Sequence, residues 1–271
     1  MKLFRVFGNP IHQSKSPYIH QMFAKQCLID LQYQTQLIAL DGFDAAVNAF
    51  FAQGGFGINV TVPFKEQAFA MSDELSYEAK AAGAVNTLFC QQGKIIGENT
   101  DGCGLITDLI NQNVKIKNKS VLLIGAGGAA KGVVLPLLQQ LPSKLVITNR
   151  TTTKAEMLIG GYADAPIYAQ SFAQTAEHTF DLIINATSAS LNGKVPNIAE
   201  SCITHHTICY DMMYGREPTA FMIWSKNAGC LHIIDGLGML VEQAAKSFEL
   251  WHAVKPNTAP VLKQLRKMLA N

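Results

Sequence analysis

The sequence predicts an α/β protein with two α/β domains, because strand and helix patterns alternate along nearly all of its 271 residues. In about the first hundred residues, short strands alternate with helices and end in a hairpin, which is typical of a mostly parallel sheet. From residue 120 onward the strands become continuous apolar runs, as in a Rossmann-type, doubly wound sheet that is covered on both faces. A glycine-rich turn directly follows the first of these runs.

Composition excludes several classes of protein. The chain is 48% hydrophobic and 15% charged with a formal net charge of +2, which fits a globular protein and indicates no nucleic-acid partner. The six cysteines are scattered without a C-x-x-C pair, so we expect reduced thiols and no metal site. The N-terminal apolar run is too short for a signal peptide, and the apolar stretch 121–138 carries Lys131 and four glycines. We therefore expect no membrane span and a cytoplasmic location.

The elements of the first half follow from local pattern. Ser16 and then Pro17 predict a helix start at an N-cap, with the helix running to about residue 28. The apolar pattern predicts strands at 3–7, 32–40 and 56–62, a helix at 43–52, further helix to about 81, and a hairpin of 84–90 with 94–96.

The strand at 56–62 carries polar side chains at alternate positions. Asn59 and Thr61 alternate with apolar residues, so we expect both to point away from the core. Pro63 should end the strand, and Lys65 should then lie at the start of a short helix. Polar groups just past a strand end often form a ligand site in α/β folds, although a solvated lysine is the simpler interpretation of this stretch alone.

The second half repeats strand and helix and then becomes helical. We expect strands at 120–124, 144–148, 181–185, 207–211 and 231–235. Two helices end the chain, one with an apolar stripe from Leu237 to Trp251 and one at about 258–269. Gln243 falls at the edge of that stripe.

The glycine-rich turn has the pattern of a dinucleotide-binding loop. It reads Gly125, Ala126, Gly127, Gly128, Ala129, Ala130 and matches G-x-G-x-x-A between a strand and a helix. The first glycine permits the tight turn, the second lets the backbone approach a pyrophosphate, and the alanine at 130 allows close packing of helix on strand. The helix N-terminus would then face the phosphates.

The end of the next strand indicates which nucleotide binds. An NAD-binding chain usually carries an acid about 20 residues past the glycines, but here Asn149 and Arg150 occupy that place, with Thr151 and Lys154 close by. A guanidinium can bind a 2′-phosphate that a carboxylate would repel. The sequence therefore favours NADP(H), although Arg150 could also be a surface residue at a helix start.

Several motifs taken together resemble the shikimate dehydrogenase family, over nearly the whole chain. The motifs are Gly8-Asn-Pro-Ile, Ser14-Lys-Ser-Pro17, Asn59-Val-Thr-Val-Pro-Phe-Lys65, Gly83-Ala-Val-Asn-Thr87, Asn99-Thr-Asp-Gly102, the glycine loop, Asn149-Arg-Thr151, Asn185-Ala-Thr-Ser188, Tyr210-Asp-Met212 and Asp235-Gly-Leu-Gly-Met239. The substrate-side motifs are much more specific than the glycine loop.

The resemblance implies NADPH-dependent, reversible reduction of 3-dehydroshikimate to shikimate. Lys65 would be the catalytic residue, paired with Asp101, and Met212 and Gly236 would line the nicotinamide. The implied substrate contacts are Ser14, Ser16, Asn59, Thr61, Lys65, Asn86, Asp101, Tyr214 and Gln243. The implied domains are a discontinuous substrate domain of 1–101 plus 237–271 and an NADP domain of 102–236. We expect a small-molecule substrate and a monomer or homodimer.

The sequence departs from the family pattern at three places, and it leaves alternative functions to be compared. Gln13 stands where the family commonly has histidine, Ser190 where it commonly has glycine, and the loop after Tyr214 is short. A related dehydrogenase that accepts quinate or uses NAD is the nearest alternative. A non-catalytic NADP-binding sensor should have lost Lys65 or Asp101, and folate-interconverting dehydrogenases do not fit the Ser-Lys-Ser and Asn-Thr-Asp-Gly stretches.

Overall fold

The computed structural model describes residues 1–270, apart from the side chain of Leu191, and the chain divides into two compact units. Unit 1 comprises Met1–Gly104 with Leu240–Met268, and unit 2 comprises Leu105–Met239 with the end of the chain from Leu269. Each unit has its own six-stranded sheet and its own apolar core. The prediction of an α/β protein with two α/β domains is confirmed.

The sheet of unit 1 is mixed but mostly parallel. Its strands are β1 (Lys2–Gly8), β2 (Leu31–Leu37), β3 (Gly57–Val60), β4 (Glu74–Leu75), β5 (Thr87–Gln91) and β6 (Lys94–Glu98). The spatial order is β2-β1-β3-β5-β6-β4, in which β5 runs antiparallel to β3 and β6 and the other neighbours are parallel. The predicted hairpin is confirmed as β5 and β6, where Gln92 and Gly93 have positive φ, as a tight hairpin turn requires.

Four helices connect these strands. They are α1 (Ser16–Cys27), α2 (Phe43–Ala52), α3 (Lys65–Met71) and α4 (Tyr77–Ala82). The prediction of Ser16 as the N-cap of α1 is wrong by one residue, because Lys15 holds that position and makes no side-chain capping bond. The bounds of α2 match the prediction. The short strand β4 was missed, since two residues leave no detectable period.

The strand β3 is shorter than the pattern suggested. It ends at Val60, and the N–H of Phe64 donates to the carbonyl of Thr61 at 3.0 Å, which closes a turn that contains Pro63. As a result Val62 is 66% exposed, although its place in the alternation predicted burial. Lys65 follows at once as the first residue of α3.

The sheet of unit 2 has six parallel strands. They are β7 (Ser120–Ile124), β8 (Lys144–Thr148), β9 (Ile167–Gln170), β10 (Leu182–Asn185), β11 (Ile208–Asp211) and β12 (His232–Asp235). The order is β12-β11-β10-β7-β8-β9, so the chain reverses direction across the sheet between β7 and β10. Ligands of doubly wound sheets bind at the carboxyl ends of the strands beside such a reversal. The edge strand β9 was missed because it is short and Tyr168 is half exposed.

The remaining helices complete the chain. They are α5 (Asp101–Asn111), α6 (Gly128–Gln139), α7 (Thr152–Ile159), α8 (Phe172–Thr175), α9 (Ala220–Asn227), α10 (Leu237–His252) and α11 (Thr258–Ala270), with short 3-10 turns at Ala189–Asn192 and Glu200–Cys202. The predicted apolar stripe of α10 is confirmed by the burial of Val241, Phe248 and Trp251. Among the described residues, no helix is both long enough and apolar enough to span a membrane.

Candidate active site

Lys65 and Asp101 form an ion pair in unit 1, although 36 residues separate them along the chain. Lys65 opens α3 after the turn at Pro63, and Asp101 opens α5, where its N–H donates to Asn99 Oδ1 at 3.1 Å. Lys65 Nζ donates to Asp101 Oδ2 at 2.5 Å, with the side chains 20% and 9% exposed. An ammonium has three protons, so this pair leaves donors for a ligand.

The amide of Asn86 holds the other oxygen of this carboxylate. Asn86 Nδ2 donates to Asp101 Oδ1 at 2.8 Å and to Thr100 Oγ1 at 2.9 Å. Its Oδ1 accepts from the backbone N–H of Thr100 at 2.9 Å. Because a backbone N–H can only donate, this contact fixes which end of the amide faces Asp101. Both oxygens of Asp101 therefore have assigned donors.

Gln243 of α10 faces the same cluster. Its Nε2 donates to the carbonyl of Leu240 at 2.8 Å, which fixes the side-chain amide. The other end of the amide, Oε1, then lies 3.5 Å from both Asn86 Nδ2 and Thr100 Oγ1. The predicted substrate contacts Asn86, Asp101 and Gln243 thus meet at one place.

Asn59 lies on the face of β3 opposite Ile58 and Val60, as expected, but that face is buried and does not meet solvent. It is 7% exposed, and its Oδ1 accepts from the hydroxyl of Tyr33 at 2.7 Å. Its Nδ2 lies 3.1 Å from Thr87 Oγ1 and 3.0 Å from Ser247 Oγ. The alternation of the strand holds, but the opposite face is also buried, by a second apolar cluster that includes Tyr33 and Trp251 and by the hydroxyls of Thr87 and Ser247.

Ser14, Ser16 and Thr61 lie at the carboxyl ends of β1 and β3 or just beyond them. The N–H of Ser16 donates to Ser14 Oγ at 3.3 Å, and the Ser16 side chain is buried. Thr61 packs its methyl group against Gly8, where an added Cβ would lie 2.5 Å from Thr61 Cγ2. Gly8 is therefore needed for the position of Thr61.

Sequence reasoning missed four members of this cluster, namely Tyr33, Thr87, Thr100 and Ser247. Two of them follow an asparagine directly, at Asn86-Thr87 and Asn99-Thr100, and that repeat was the available signal. Tyr33 lies on β2 between glutamines, and Ser247 lies on the buried side of α10, so neither had a signal of its own. Burial raises the pKa of Tyr33 well above its usual value, so its hydroxyl stays protonated and acts as a donor.

The glycine loop of unit 2 leads from β7 into α6. Gly125 has φ of +117°, which favours glycine, and its Cα faces the backbone of Ala186 after β10. A Cβ added at Gly127 or Gly128 would meet no protein atom within 4 Å. Ala130 is fully buried, as close packing of helix on strand requires. The open space above the N-terminus of α6 fits a phosphate-bearing ligand, and Ala126 and Ala129 complete the loop.

The residues after β8 present positive charge to solvent. Arg150 and Lys154 are exposed on either side of Thr151, which is the N-cap of α7. Asn149 Nδ2 donates to the carbonyl of Thr151 at 3.0 Å, which holds the turn. In the part of the chain that the structure describes, no acidic side chain pairs with Arg150 or Lys154. Both cations are therefore available to an anionic ligand.

The loops after β10 and β11 are tied together by buried polar contacts. Asp211 accepts from Asn185 Nδ2 at 3.0 Å, Ser190 Oγ at 2.7 Å and Thr219 Oγ1 at 2.6 Å, while burial raises its pKa. Ser190, where the family commonly has glycine, thereby anchors its loop.

Met212 and Gly236 lie side by side at the strand ends of unit 2. An added Cβ at Gly236 would lie 2.1 Å from the carbonyl oxygen of Met212, so only glycine fits there. Tyr214 also belongs to unit 2, and burial together with the charge of Asp235 raises its pKa. Among residues 1–270, no group of three or more His, Cys, Asp or Glu side chains is arranged to hold a metal ion.

Comparison with known proteins identifies the family. Three family models match the chain: the shikimate dehydrogenase substrate binding domain over 6–88, shikimate / quinate 5-dehydrogenase over 108–204, and the shikimate 5′-dehydrogenase C-terminal domain over 236–266. A curated shikimate dehydrogenase (NADP(+)) of Colwellia psychrerythraea is 52% identical over 98% of this chain and 97% of its own length. The chain belongs to the shikimate dehydrogenase family. The resemblance seen in the motifs is confirmed.

Solved structures agree with this family assignment. An Ael1 enzyme from Pseudomonas putida superimposes with a TM-score of 0.94 at 39% identity, covering 98% of each chain. A shikimate 5-dehydrogenase from Thermus thermophilus, solved with NADP(H) and shikimate, gives a TM-score of 0.89 at 27% identity, covering 99% of this chain and 100% of that one. The shikimate dehydrogenase family thus accounts for both units of the fold.

Proposed function

We propose that the protein is an NADP-dependent oxidoreductase that reversibly reduces 3-dehydroshikimate to shikimate. The observation that carries the proposal is the Lys65–Asp101 pair held by Asn86, in a chain that belongs to the shikimate dehydrogenase family. Relatives named for NADP(+) and shikimate support both the cofactor and the substrate.

The proposed chemistry assigns a proton to the Lys65–Asp101 pair. NADP(H) supplies or accepts the hydride when it is bound. Charged Lys65 donates a hydrogen bond to the carbonyl oxygen of the substrate and stabilises the negative charge that develops there. In the oxidative direction the pair takes up the proton of the substrate hydroxyl. Because the two groups share a 2.5 Å hydrogen bond, we assign the proton to the pair and not to one member.

The other polar residues would recognise the hydroxyls and the carboxylate of the substrate. Those in unit 1 are Ser14, Ser16, Asn59, Thr61, Asn86 and Gln243, and the one in unit 2 is Tyr214. The contacts among Asn59, Asn86 and Gln243 support their assignment to one site. Neutral hydrogen-bonding groups surround a single ion pair, which suits a small polyhydroxylated acid.

The proposed cofactor residues belong to the loops of unit 2. Gly125, Ala126, Gly127, Gly128 and Ala129 would cradle the pyrophosphate, and Asn149, Arg150, Thr151 and Lys154 would hold the ribose and its 2′-phosphate. Met212 and Gly236 would line the nicotinamide. The open space over Gly127 and the exposed guanidinium of Arg150 support this assignment.

An absorbance assay at the nicotinamide band tests the proposal. Shikimate and quinate are each offered with NADP⁺ and with NAD⁺. We expect shikimate with NADP⁺ to be turned over much faster than the other three combinations. Absence of turnover with shikimate would refute the proposed function. Comparable rates with quinate would favour the alternative of broader substrate use. One of the three matching family models is that of shikimate / quinate 5-dehydrogenase.

We also propose that the protein works in the cytoplasm as a monomer or homodimer. All six cysteines are free thiols, and free thiols are typical of a reducing compartment. Cell fractionation and light scattering of the purified protein test these two points.

A further inference from the structure

Three buried hydroxyl groups lie behind the proposed substrate site and have no assigned role. They belong to Tyr33, Thr87 and Ser247, which are 2%, 0% and 0% exposed. Each lies within 3.1 Å of the amide of Asn59, at Oδ1 for Tyr33 and at Nδ2 for the other two. Thr87 also reaches Asn86. The hydroxyls therefore link the two amides that the proposed function assigns to substrate recognition.

Two backbone groups fix the orientation of both amides in this cluster. The carbonyl of Asn86 lies 3.2 Å from Asn59 Nδ2 and can only accept, so it fixes the NH₂ end of Asn59. The N–H of Thr100 can only donate, so it fixes the oxygen end of Asn86. Neither amide can turn over without placing two donors or two acceptors against each other.

With both amides fixed, the proton of Tyr33 is assigned, whereas Thr87 and Ser247 also lie 2.8 Å from each other and either hydroxyl can be the donor. Tyr33 donates to Asn59 Oδ1 at 2.7 Å, and Thr87 accepts from Asn59 Nδ2 and lies 2.9 Å from Asn86 Oδ1, to which it can donate. Ser247 accepts from Asn59 Nδ2 and lies 3.1 Å from the carbonyl of Gln243, to which it can donate. A chain of hydrogen bonds results, from Tyr33 through Asn59, Thr87 and Asn86 to Asp101.

We propose that Tyr33, Thr87 and Ser247 are positioning residues that hold the amides of Asn59 and Asn86 in the orientation the substrate requires. The inference rests on the proposed function for the identity of the substrate. Loss of any one hydroxyl removes one of the contacts that hold these amides, so the amide is held less rigidly although the backbone contact remains.

Isosteric substitutions that remove only the hydroxyl test the proposal. Thr87→Val, Tyr33→Phe and Ser247→Ala should each weaken shikimate binding by about fivefold to a hundredfold in calorimetry and in KM, as loss of one buried hydrogen-bond partner predicts. The KM for NADP⁺ should stay within about twofold. Thr87→Ser, which keeps the hydroxyl, should restore most of the affinity. Thr175→Val is the matched control, because Thr175 is a buried threonine of unit 2 that donates to Phe172.

A second set of variants separates positioning from general loss of packing. In an Asn59→Ala background, Tyr33→Phe and Ser247→Ala should change shikimate affinity by less than about twofold, because the group they position is gone. If each substitution weakens shikimate binding by the same factor in the Asn59→Ala background as in the wild type, the proposal is overturned.

A measurement that does not depend on enzymatic turnover tests this inference independently of the proposed function. Side-chain amide proton exchange of Asn59, followed by NMR, should accelerate at least about tenfold in Thr87→Val. Unchanged exchange would overturn the positioning role. A wild-type protein that shows this acceleration on substitution but does not turn over shikimate would refute only the proposed function.

Discussion

The Lys65–Asp101 pair carries the proposed proton chemistry. Lys65 is 20% exposed and its partner is 9% exposed, so water screens their attraction only in part. Lys94 also pairs with a carboxylate, Glu74, at 2.6 Å, but both of those side chains are more than half exposed. The two lysines therefore have the same ion-pair chemistry in different surroundings, and only Lys65 is surrounded by groups that could recognise a ligand.

We predict that Lys65→Ala lowers kcat by about 10²–10⁴-fold, the range typical of losing a general acid or base. Shikimate binding, measured by calorimetry, should be largely retained because the hydroxyl-reading residues remain. Lys94→Ala is the matched control and should leave kcat unchanged. Turnover of Lys65→Ala close to that of the wild type would contradict the catalytic assignment.

The choice between nucleotides depends on a single residue. We predict that Arg150→Ala weakens NADP⁺ binding by about tenfold to a hundredfold, the value of one or two charge-assisted hydrogen bonds, and leaves NAD⁺ binding unchanged. Fluorescence titration with each nucleotide measures both constants. Arg266→Ala, on the exposed side of α11, is the control for loss of a surface charge. An equal loss for NADP⁺ and NAD⁺ would show that Arg150 does not bind the 2′-phosphate.

At the scale of elements, the loop between β7 and α6 contains glycines that are needed for two different reasons, one for backbone conformation and one for space beside the loop. Gly125 needs a left-handed backbone with φ of +117°, whereas Gly127 has φ of −88° and only open space beside it. An alanine at 125 therefore strains the fold, and an alanine at 127 obstructs only what approaches from outside.

We predict that Gly127→Ala keeps the melting temperature of the wild type and weakens NADP⁺ binding by at least about tenfold, since a methyl group would hinder the backbone approach of the pyrophosphate. Gly125→Ala should instead lower the melting temperature. Gly161→Ala is the control, because Gly161 also has open space beside it and lies outside the loop. Differential scanning fluorimetry with and without NADP⁺ separates the two effects. An unchanged affinity in Gly127→Ala would mean that the cofactor does not approach this loop.

The sequence predicted long periodic elements well and local polar packing poorly. Strands β7 and β8 and helix α2 have the predicted bounds, because continuous apolar runs or helical spacing define them on both sides. Strand β9 was missed because four residues at a sheet edge carry little periodicity. The polar cluster around Asn59 was missed for another reason. Period-2 alternation tells which residues share a face, but not whether that face meets water or other buried side chains.

Across the whole molecule, each unit buries polar groups in a different way. Unit 2 ties its strand ends together through one buried carboxylate, Asp211, whose three side-chain donors offset the cost of burial. Unit 1 buries an imidazole, His20, which stacks on Tyr33 with ring centroids 4.3 Å apart. Burial, with a smaller contribution from the charge of His252 and an opposing one from Asn59, lowers the pKa of His20 from 6.5 to about 3. The pKa of His252 is also lowered, to about 4, by burial and by Lys2.

These histidines should make unit 1 sensitive to acid. The unfolded chain binds a proton at His20 below about pH 6.5, while the folded chain stays neutral there until about pH 3. The stability that neutral His20 contributes is therefore fully present above pH 6.5 and is lost as the pH falls from there toward 3. The slope is about 1.4 kcal/mol for each pH unit.

We predict that between pH 6 and pH 4 the wild type loses about 2–3 kcal/mol more unfolding free energy than His20→Phe, whose ring keeps the stack on Tyr33 but does not titrate. The carboxylates titrate in both proteins, so they cancel in the difference. The chain has two tryptophans, and in a Trp224→Phe background only Trp251 reports, from a position 5.3 Å from the His20 ring. Urea titrations followed by this fluorescence therefore measure unit 1. His206→Phe, at an exposed histidine, should behave as the wild type does. Parallel pH profiles for wild type and His20→Phe would show that His20 is protonated equally in the folded and unfolded chains, and acid sensitivity would then have to arise from other groups.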